Sequence, residues 1–449
     1  MRTRVVSAIV RLALAAVLLP FALDWRSPLL ASVRPSALAC LILVPCILIA
    51  AGILAVRRPA GRTLRALDAF ALLLAVIALV STAALELRFH LFRHAVLTAD
   101  AAALEKIGRH LIVGYGDLDE VHALIRRRAI AGVFISAPNV RGLSAADVKA
   151  QIEAMQAIRR DQHLPPLWIA TDQEGGDISR LSPPLPRPPR IADILAGHAD
   201  RAEGIAAVRQ SAREQGRALV DLGVNLNFAP VVDVDHGLTN PGDWFTHIHQ
   251  RAISSDPEIV TAAAGAYCDG LREAGVHCTL KHFPGLGRVF ADTHRSGASL
   301  DVSPSELEQT DWVPFRALMG QPDAFTMLGH VTLTAIDRAH PVSFSQPAVA
   351  KLLRGDWHYG GILVTDDFGM GAVYRSRDGI AEAAAAAINA GVDFVLVSFD
   401  TDQFYAVMHG LLAAERDGRL QPEALRQSDE RLGRVAGSLA PESVPSSGR

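Results

Sequence analysis

Residues 362–367 read Ile-Leu-Val-Thr-Asp-Asp, a short apolar run that ends in two adjacent carboxylates, Asp366 and Asp367. A continuous apolar run of this length is typical of a strand that is buried on both faces of a parallel sheet. Neighbouring parallel strands need a crossover connection, which is usually an α-helix. The segment therefore predicts that strands and helices alternate on either side of it.

That alternation extends over the chain after residue 97. The predicted strands are Leu111–Tyr115, Gly132–Ala137, Leu167–Asp172, Val224–Ala229, His277–His282, Ala324–Leu328, Ile362–Asp366 and Phe394–Ser398. The predicted helices include Leu118–Arg128, Ala145–Arg159, Arg201–Leu222, Pro257–Ala274, Pro304–Leu318 and Gly379–Ala390. Gly223, Gly275 and Gly391 directly follow three of these helices, where a left-handed residue is favoured.

Eight such units predict an α/β fold, a (β/α)8 TIM barrel, for residues 97–440. A doubly wound parallel sheet is the alternative, but no Gly-rich phosphate loop follows the first predicted strand. Residues 441–449 are rich in Pro, Ser and Gly, and we predict a disordered tail there.

Residues 1–96 are much more apolar and predict a membrane anchor with three transmembrane helices. They contain three apolar runs, 5–23, 37–56 and 69–85, and roughly 20 apolar residues suffice for a helix to cross the hydrocarbon core. Arg11 interrupts the first run near one end, from where its side chain is expected to snorkel. A cleaved signal peptide is the alternative for the first run, but no good small-x-small site follows it.

The arginines predict how these spans are oriented. Two of them, Arg26 and Arg34, lie between the first and second runs. Six others flank the opposite ends of the runs: Arg2, Arg4, Arg57, Arg58, Arg62 and Arg65. The positive-inside rule places those six in the cytoplasm. We therefore expect a multi-pass protein of the inner or cell membrane, in contact with the lipid bilayer, whose barrel is periplasmic or extracytoplasmic.

Composition excludes several other classes of protein. Half of the residues are hydrophobic and 20% are charged, which rules out a disordered chain. Four cysteines without a CxxC pair indicate neither a fold built on disulfides nor a structural zinc site. Residues 1–96 hold eleven Arg, two Asp and one Glu, a net +8, so the remainder of this −3 chain carries −11. An acidic body argues against nucleic acid as a partner.

Polar residues end four of the predicted strands, and the carboxyl ends of barrel strands meet at one mouth. These residues are Asp172, Lys281, His282, His330, Asp366 and Asp367. A carboxylate at a strand end, such as Asp366, is held rigidly, as a nucleophile must be. Asp367 is one residue further on and is better placed to cap the next helix.

Asp292 and His294 follow the fifth predicted strand on a loop that contains Gly285 and Gly287. Histidine is the side chain most easily poised for proton transfer near neutral pH, and a neighbouring carboxylate can orient it. On an extended segment the two side chains would face opposite ways, so a turn is needed to bring them together. The glycines are expected to make the loop deformable.

Four segments together resemble glycoside hydrolase family 3, in its bacterial β-N-acetylhexosaminidase branch. They are TDQEGGDISRL at 171–181, NFAPVVDVD at 227–235, KHFPGLGRVFADTH at 281–294 and VTDDFGMG at 364–371. The resemblance covers nearly all of residues 100–437, and the motifs occur in the family's order.

The resemblance implies a retaining, exo-acting β-glycosidase that removes terminal N-acetylglucosamine from a carbohydrate substrate, such as a cell-wall-type glycan. It implies that Asp366 is the nucleophile, that His294 is the general acid/base, and that Asp292 is the partner of this histidine. The substrate-binding residues that it implies are Asp172, Arg180, Arg251, Lys281 and His282. No cofactor and no metal are expected.

This sequence departs from the family pattern at several places. The stretch 241–250 differs from its counterparts, which bears on the assignment of Arg251. Leu286 replaces a usual second histidine, Asp177 replaces a usual arginine, and the membrane anchor is unusual for the family. These departures affect the leaving-group side and leave the natural substrate open, so another β-glycosidase of the family, acting on glucosides or xylosides, is an alternative.

Two other classes of function compete with this interpretation. The first is a metal-dependent hydrolase whose ligands would be drawn from His282, His294, His330, Asp292 and Asp366, although no H-E-x-x-H motif exists. The second is a membrane-anchored glycan-binding protein with little or no catalysis. The oligomeric state is not indicated by the sequence.

Overall fold

The computed structural model describes residues 2–322 and 324–436, and the chain divides into two compact units, Met1–Thr98 and Ala99–Arg449. The division lies close to the boundary that hydropathy predicts between residues 96 and 97. The predicted disordered tail, 441–449, lies outside the described residues.

The first unit consists of three long helices, α1 (Arg2–Leu23), α2 (Arg34–Val56) and α3 (Arg62–Leu97), with a short 3₁₀ helix at Pro28–Leu30. Each of the three contains a stretch that is long and apolar enough to cross a membrane. They coincide with the three predicted apolar runs, and α3 extends well beyond its run at both ends.

Small residues form the buried faces of this unit. Ala8, Ala15 and Ala22 recur every seventh residue on α1 and are fully buried. On α3 the buried positions include Ala71 and Ala75. Small side chains let helices approach closely, and alanines occupy these faces.

Two arginines of this unit are paired with acidic residues of α3. The Nη2 atom of Arg11 lies 2.5 Å from Oδ1 of Asp68, and that of Arg26 lies 2.5 Å from Oε2 of Glu86. Trp25 donates its indole N–H to the other oxygen of Glu86. The Arg11 guanidinium is thus used in an ion pair, and whether its side chain snorkels stays a prediction.

The second unit is built on an eight-stranded parallel sheet. Its strands are β1 (Leu111–Val113), β2 (Gly132–Phe134), β3 (Trp168–Thr171), β4 (Leu226–Asn227), β5 (Thr279–Phe283), β6 (Phe325–Leu328), β7 (Leu363–Asp367) and β8 (Phe394–Val397). They follow the order β4-β3-β2-β1-β8-β7-β6-β5, and each is parallel to its neighbours.

The two outermost strands of that order approach each other. One isolated parallel bridge joins Leu226 in β4 to His277, just before β5. A second joins Val231, just after β4, to Lys281 in β5. The sheet is therefore nearly closed and barrel-like. Each predicted strand is present, although most are shorter than predicted because the pairing stops before the apolar run does.

Helices connect the strands. The α-helices of this unit are Ala101–Gly108, Leu118–Arg126, Ala137–Val140, Ala145–Asp161, Ile191–Ala196, Arg201–Leu222, Ile248–Arg251, Pro257–Glu273, Pro304–Gln309, Trp312–Leu318, Gly371–Tyr374, Gly379–Ala390, Gln403–Arg416 and Pro422–Ala436. A 3₁₀ helix at Val342–Phe344 and a π-helix at Pro347–Asp356 connect β6 to β7. The helix predicted over residues 304–318 is two helices, because the backbone of Thr310 is not helical. Gly223, Gly275 and Gly391 have positive φ, as predicted.

Large apolar side chains fill the inside of the sheet. The ring of Trp168 on β3 lies with its centroid 5.2 Å from that of Phe325 on β6 and 6.1 Å from that of Phe394 on β8. Rings from such distant strands meet only if the sheet curves round them, and burying each contributes about 1.5–3 kcal/mol or more. Because the interior is packed with apolar side chains, the polar side chains lie at the carboxyl ends of the strands.

A disulfide joins Cys268, in the helix Pro257–Glu273, to Cys278, which directly precedes β5. The sequence alone did not predict this pair. The bond closes a short loop, so it ties the start of β5 to the helix that leads into it.

Candidate active site

The polar strand ends that the sequence singles out do gather at the carboxyl end of the sheet. Lys281 in β5 donates to Asp172 after β3, with Nζ and Oδ1 2.8 Å apart. His330, just after β6, interacts through Nε2 with the carbonyl of Asp367 at the end of β7, at 2.9 Å. Residues from four strands therefore line one mouth.

Asp366 is half-buried in β7, and its Oδ1 accepts the amide N–H of Asp367 at 2.8 Å. Three histidines interact with it electrostatically: His282, His330 and His294. Burial alone would raise the pKa of Asp366, but its interactions with these histidines and the hydrogen bond from the Asp367 amide together lower it. The carboxylate is thus kept ionised, the state in which it can attack a carbon atom.

Asp367 has a different environment. Its side chain is buried and accepts the amide N–H groups of Gly369 at 2.6 Å and Phe399 at 2.8 Å, and it also binds both the amide and the hydroxyl of Ser398. Burial raises the pKa of this carboxyl. Asp367 therefore ties the loops after β7 and β8 together, which is a structural role, although it is not the helix cap that the sequence suggested.

Asp292 and His294 are brought together by a turn, as the sequence required. His294 Nδ1 lies 3.1 Å from Oδ1 of Asp292, and the same oxygen accepts the amide N–H of His294 at 3.0 Å. The side chain of Asp292 is buried, whereas that of His294 is about one-third exposed. Burial alone would raise the pKa of Asp292, but hydrogen bonds and charge from His294 lower it to about 2.

Thr246 and the main chain of Trp244 complete the surroundings of this pair. The Thr246 hydroxyl lies 3.1 Å from Oδ1 of Asp292 and 3.3 Å from Nδ1 of His294, and the Trp244 amide donates to Oδ2 of Asp292 at 3.2 Å. Because Nδ1 is occupied by these contacts, Nε2 is the ring nitrogen that is left for a ligand.

Glycines around this turn are closely packed against the main chain. A Cβ on Gly287 would lie 1.8 Å from the carbonyl oxygen of Val234. Gly371, in the short helix after β7, donates its N–H to the carbonyl of His294 at 2.8 Å, and a Cβ there would lie 2.4 Å from the carbonyl oxygen of Arg295. In this conformation the turn packs against the chain that follows Asp366, and the deformability of the loop stays a prediction.

A second cluster of charges surrounds Lys281. Its Nζ lies 2.8 Å from Oδ1 of Asp172 and 2.7 Å from Oε1 of Glu174. Burial alone would lower the pKa of Lys281, but the two carboxylates raise it. Glu174 belongs to the motif at 171–181, yet no role is predicted for it from the sequence. Its position two residues after Asp172, a polar strand end, was the signal that could have identified it as a site residue.

Arg251 and Arg180 differ in how their guanidinium groups are used. Arg251 binds Glu174 through Nε at 2.9 Å and Nη2 at 2.6 Å, and donates from Nη1 to the carbonyl of Thr246 at 2.9 Å. Two of its five N–H donors remain. Arg180 is half-buried, and in the described parts of the chain its side chain has no hydrogen-bond or ion-pair partner.

His282 is oriented by Asp233, which lies in the motif at 227–235 but has no predicted role. Its Nδ1 lies 2.7 Å from Oδ2 of Asp233, while Oδ1 of Asp233 accepts the amide N–H of Leu286 at 2.6 Å. Leu286 is buried, and Asp177, the other departure from the family pattern, lies with its carboxylate exposed beside Arg187.

The five residues that a metal site would draw on are largely engaged with protein atoms. His282 Nδ1 is bound to Asp233, and both ring nitrogens of His330 are taken, by the Ser343 hydroxyl at 2.7 Å and the carbonyl of Asp367. Within residues 2–322 and 324–436 no three His, Cys, Asp or Glu side chains are arranged so that they could hold a metal ion together.

Comparison with known proteins identifies the class of protein that has this fold and site. The model of the glycosyl hydrolase family 3 N-terminal domain matches residues 103–435. The β-hexosaminidase LpqI of Mycobacterium tuberculosis is 34% identical over 338 residues, which cover 74% of this chain and 82% of that protein. The chain belongs to glycosyl hydrolase family 3, as its motifs indicate, and it is a glycoside hydrolase.

Solved structures agree with this assignment. A family 3 β-N-acetylglucosaminidase from a Paenibacillus species superposes with a TM-score of 0.68 at 28% identity, over 76% of this chain and 64% of that chain. A glycosyl hydrolase of the same family from Mycobacterium smegmatis gives a TM-score of 0.65 at 32% identity, over 77% of this chain and 99% of that chain.

Proposed function

We propose that this protein is a membrane-anchored, retaining, exo-acting β-N-acetylglucosaminidase. The observation that carries the proposal is the docking of the Asp292–His294 turn on the chain just after Asp366, through the hydrogen bond from Gly371 to the carbonyl of His294. His294 also interacts electrostatically with Asp366, and a carboxylate and a histidine at one site can serve the two steps of retaining hydrolysis. The β-hexosaminidase and β-N-acetylglucosaminidase names of the relatives support N-acetylglucosamine as the sugar.

In the first step Asp366 attacks the anomeric carbon while His294 gives the proton on Nε2 to the departing oxygen. A covalent glycosyl-enzyme forms. In the second step His294 takes a proton from water, which releases the sugar with retained configuration. Asp292 acts as a positioning residue, because its carboxylate fixes the orientation of the His294 ring through Nδ1.

Substrate binding is assigned to the charges beside these two groups. Asp172 is partly exposed and accepts from sugar hydroxyls, and Lys281 and His282 hold their part of the mouth in place. Arg180 and the remaining donors of Arg251 are available to hydroxyls or to the acetamido oxygen. Asp172 is assigned to hydroxyls at the non-reducing end of a glycan, which favours exo-action.

The nearly closed sheet is proposed to be a (β/α)8 TIM barrel. Its strand order, in which each strand lies next to its neighbours in sequence and β1 lies next to β8, supports this. The two bridges between β4 and β5 would complete the ring.

We also propose that α1, α2 and α3 cross the membrane and that the barrel lies outside the cytoplasm. The six arginines on one side of the spans support this orientation. The disulfide between Cys268 and Cys278 supports it independently, because disulfides persist in oxidising compartments. A reporter that is active only outside the cytoplasm, fused after Arg449, should give a signal; a signal only from a cytoplasmic reporter would overturn the topology.

The function is tested with the full chain in detergent on nitrophenyl β-glycosides of N-acetylglucosamine, glucose and xylose. We expect the N-acetylglucosaminide to be cleaved with the highest kcat/KM, and the Asp366→Asn variant to be inactive on all three. Preference for glucose or xylose would overturn the sugar assignment. Tight glycan binding without turnover would favour a binding protein instead, and activity that a chelator abolishes and a divalent ion restores would favour the metal-dependent alternative.

A further inference from the structure

The segment that holds the Asp292–His294 turn is itself a rigid turn. Oδ1 of Asp243 accepts the amide N–H groups of Phe245 at 3.3 Å and Thr246 at 2.8 Å, and Oδ2 accepts that of His247 at 2.8 Å. Three successive amides bound to one carboxylate fix the backbone here. The side chains that this turn presents are therefore held in place before any ligand arrives.

Two of those side chains are aromatic and project into solvent. Trp244 is 65% exposed and Phe245 is 41% exposed. The guanidinium of Arg295 lies 4.6 Å from the ring centroid of Trp244, and the ring of Phe245 lies 5.4 Å from that of His294. An exposed tryptophan beside a reaction centre is unfavourable for the free protein and indicates a ligand that covers it.

The position of His294 says which part of a substrate these rings would meet. On the proposed function, His294 protonates the oxygen that leaves, so groups packed against His294 lie on the side to which the leaving group departs. We propose that Trp244, supported by Phe245, is the platform for a second sugar ring, the leaving-group pyranose of a β-linked glycan. This inference rests on the proposed function and adds to it the class of substrate.

The chemistry of the two partners fits. A β-linked pyranose presents a face of C–H groups, which packs on an aromatic ring, and its hydroxyls stay in water at the edge. One face of the Trp244 indole is held by the Arg295 cation, which leaves the opposite face for a ligand. Since the ring is already ordered, little conformational entropy is lost when a sugar stacks on it.

The test compares substrates that differ only in the leaving group. The full chain in detergent is assayed on the β-1,4-linked disaccharide of N-acetylglucosamine and on the methyl β-glycoside of the same sugar, whose leaving group also needs protonation but has no ring. Trp244→Ala should lower kcat/KM for the disaccharide by about threefold to tenfold, the range for losing an aromatic packing partner. Its kcat/KM for the methyl glycoside should stay within about twofold of the wild type by the same reasoning.

Trp244→Phe is the matched control, since it keeps an aromatic face and should recover most of the disaccharide activity. Equal losses on both substrates would show that Trp244 acts through Asp292 and His294, and would overturn the platform. No loss on either substrate would overturn it as well. If the wild type cleaves neither substrate, the proposed function itself fails, which is a distinct result because it needs no variant.

Discussion

Asp366 and His294 are proposed to act on the same bond, but different parts of the structure hold them. Asp366 belongs to β7, and its position follows from the pairing of that strand with β6 and β8. His294 lies on a turn without strand pairing, and its position depends on Asp292, Thr246 and the carbonyl contact with Gly371. Substitution of Asp366 should therefore abolish turnover, whereas substitutions around His294 should reduce it by different amounts.

The largest effect is expected at the strand end. Asp366→Asn keeps the shape and removes the nucleophile, so turnover of every β-glycoside should fall by roughly 10⁴-fold or more. Asp367→Asn, the same substitution at the adjacent residue, is the matched control. It should mainly destabilise the fold, by about 1–3 kcal/mol, because Asp367 accepts amides from two loops, and turnover should stay within about tenfold. Steady-state rates and thermal unfolding of both variants check this. A larger loss of turnover in Asp367→Asn than in Asp366→Asn would make Asp367 the nucleophile and Asp366 the structural residue.

The second effect concerns the acid/base. His294→Ala should slow substrates with poor leaving groups by about 10²–10⁴-fold, the usual contribution of general acid–base catalysis. A nitrophenyl glycoside departs without protonation, so its first step should suffer much less, as burst kinetics would show. If the loss is the same for every leaving group, His294 is a binding residue and the proton donor must be sought elsewhere, at His282 or His330.

A smaller effect of the same kind is expected at Thr246. Thr246→Val keeps the volume but removes the hydroxyl that contacts Asp292 and His294, so poor-leaving-group substrates should slow by about tenfold, the value of one hydrogen bond in such a network. Thr293→Val is the control: the buried Thr293 hydroxyl has no hydrogen-bond partner in the described part of the chain. Similar losses in both variants would mean that the turn responds to packing and not to the Thr246 hydroxyl.

The smallest expected effect is on stability at low pH. The pKa of Asp292 is lowered to about 2 in the folded protein, so its ionised form stabilises the fold above the pKa of the unfolded chain. That stabilisation is lost as pH falls through about 2. Asp292→Asn should therefore lower Tm near neutral pH, and its difference from the wild type should shrink as the pH is lowered from about 4 towards 2. A difference that does not change with pH would show that the carboxylate charge is not what matters.

The same contrast explains what the sequence could predict. The eight strands and the polar residues at their ends follow from local patterns, because a buried parallel strand is a continuous apolar run and its end is marked by the first polar residue. Asp366, Lys281 and His282 could therefore be assigned to strand ends from local sequence alone, and the family motifs indicated their roles.

The partners around the turn could not be predicted in this way. Thr246 and the amide of Trp244 contact Asp292 from nearly fifty residues away in the chain, within a stretch that departs from the family pattern. Nothing local distinguishes a threonine that binds a carboxylate from one at any other surface turn. Glu174 and Asp233 could have been singled out, since both lie in family motifs. Their roles, however, depend on partners that are distant in the sequence.

The most direct test of the account is to trap the covalent intermediate. A 5-fluoro glycosyl fluoride of N-acetylglucosamine should form the glycosyl-enzyme quickly and release it slowly, and mass spectrometry of the digested protein can locate the sugar. We predict one sugar residue on the peptide that contains Asp366, and none in the Asp366→Asn variant. A sugar attached to any other residue, or steady turnover of this reagent with no adduct at all, would contradict the proposed mechanism.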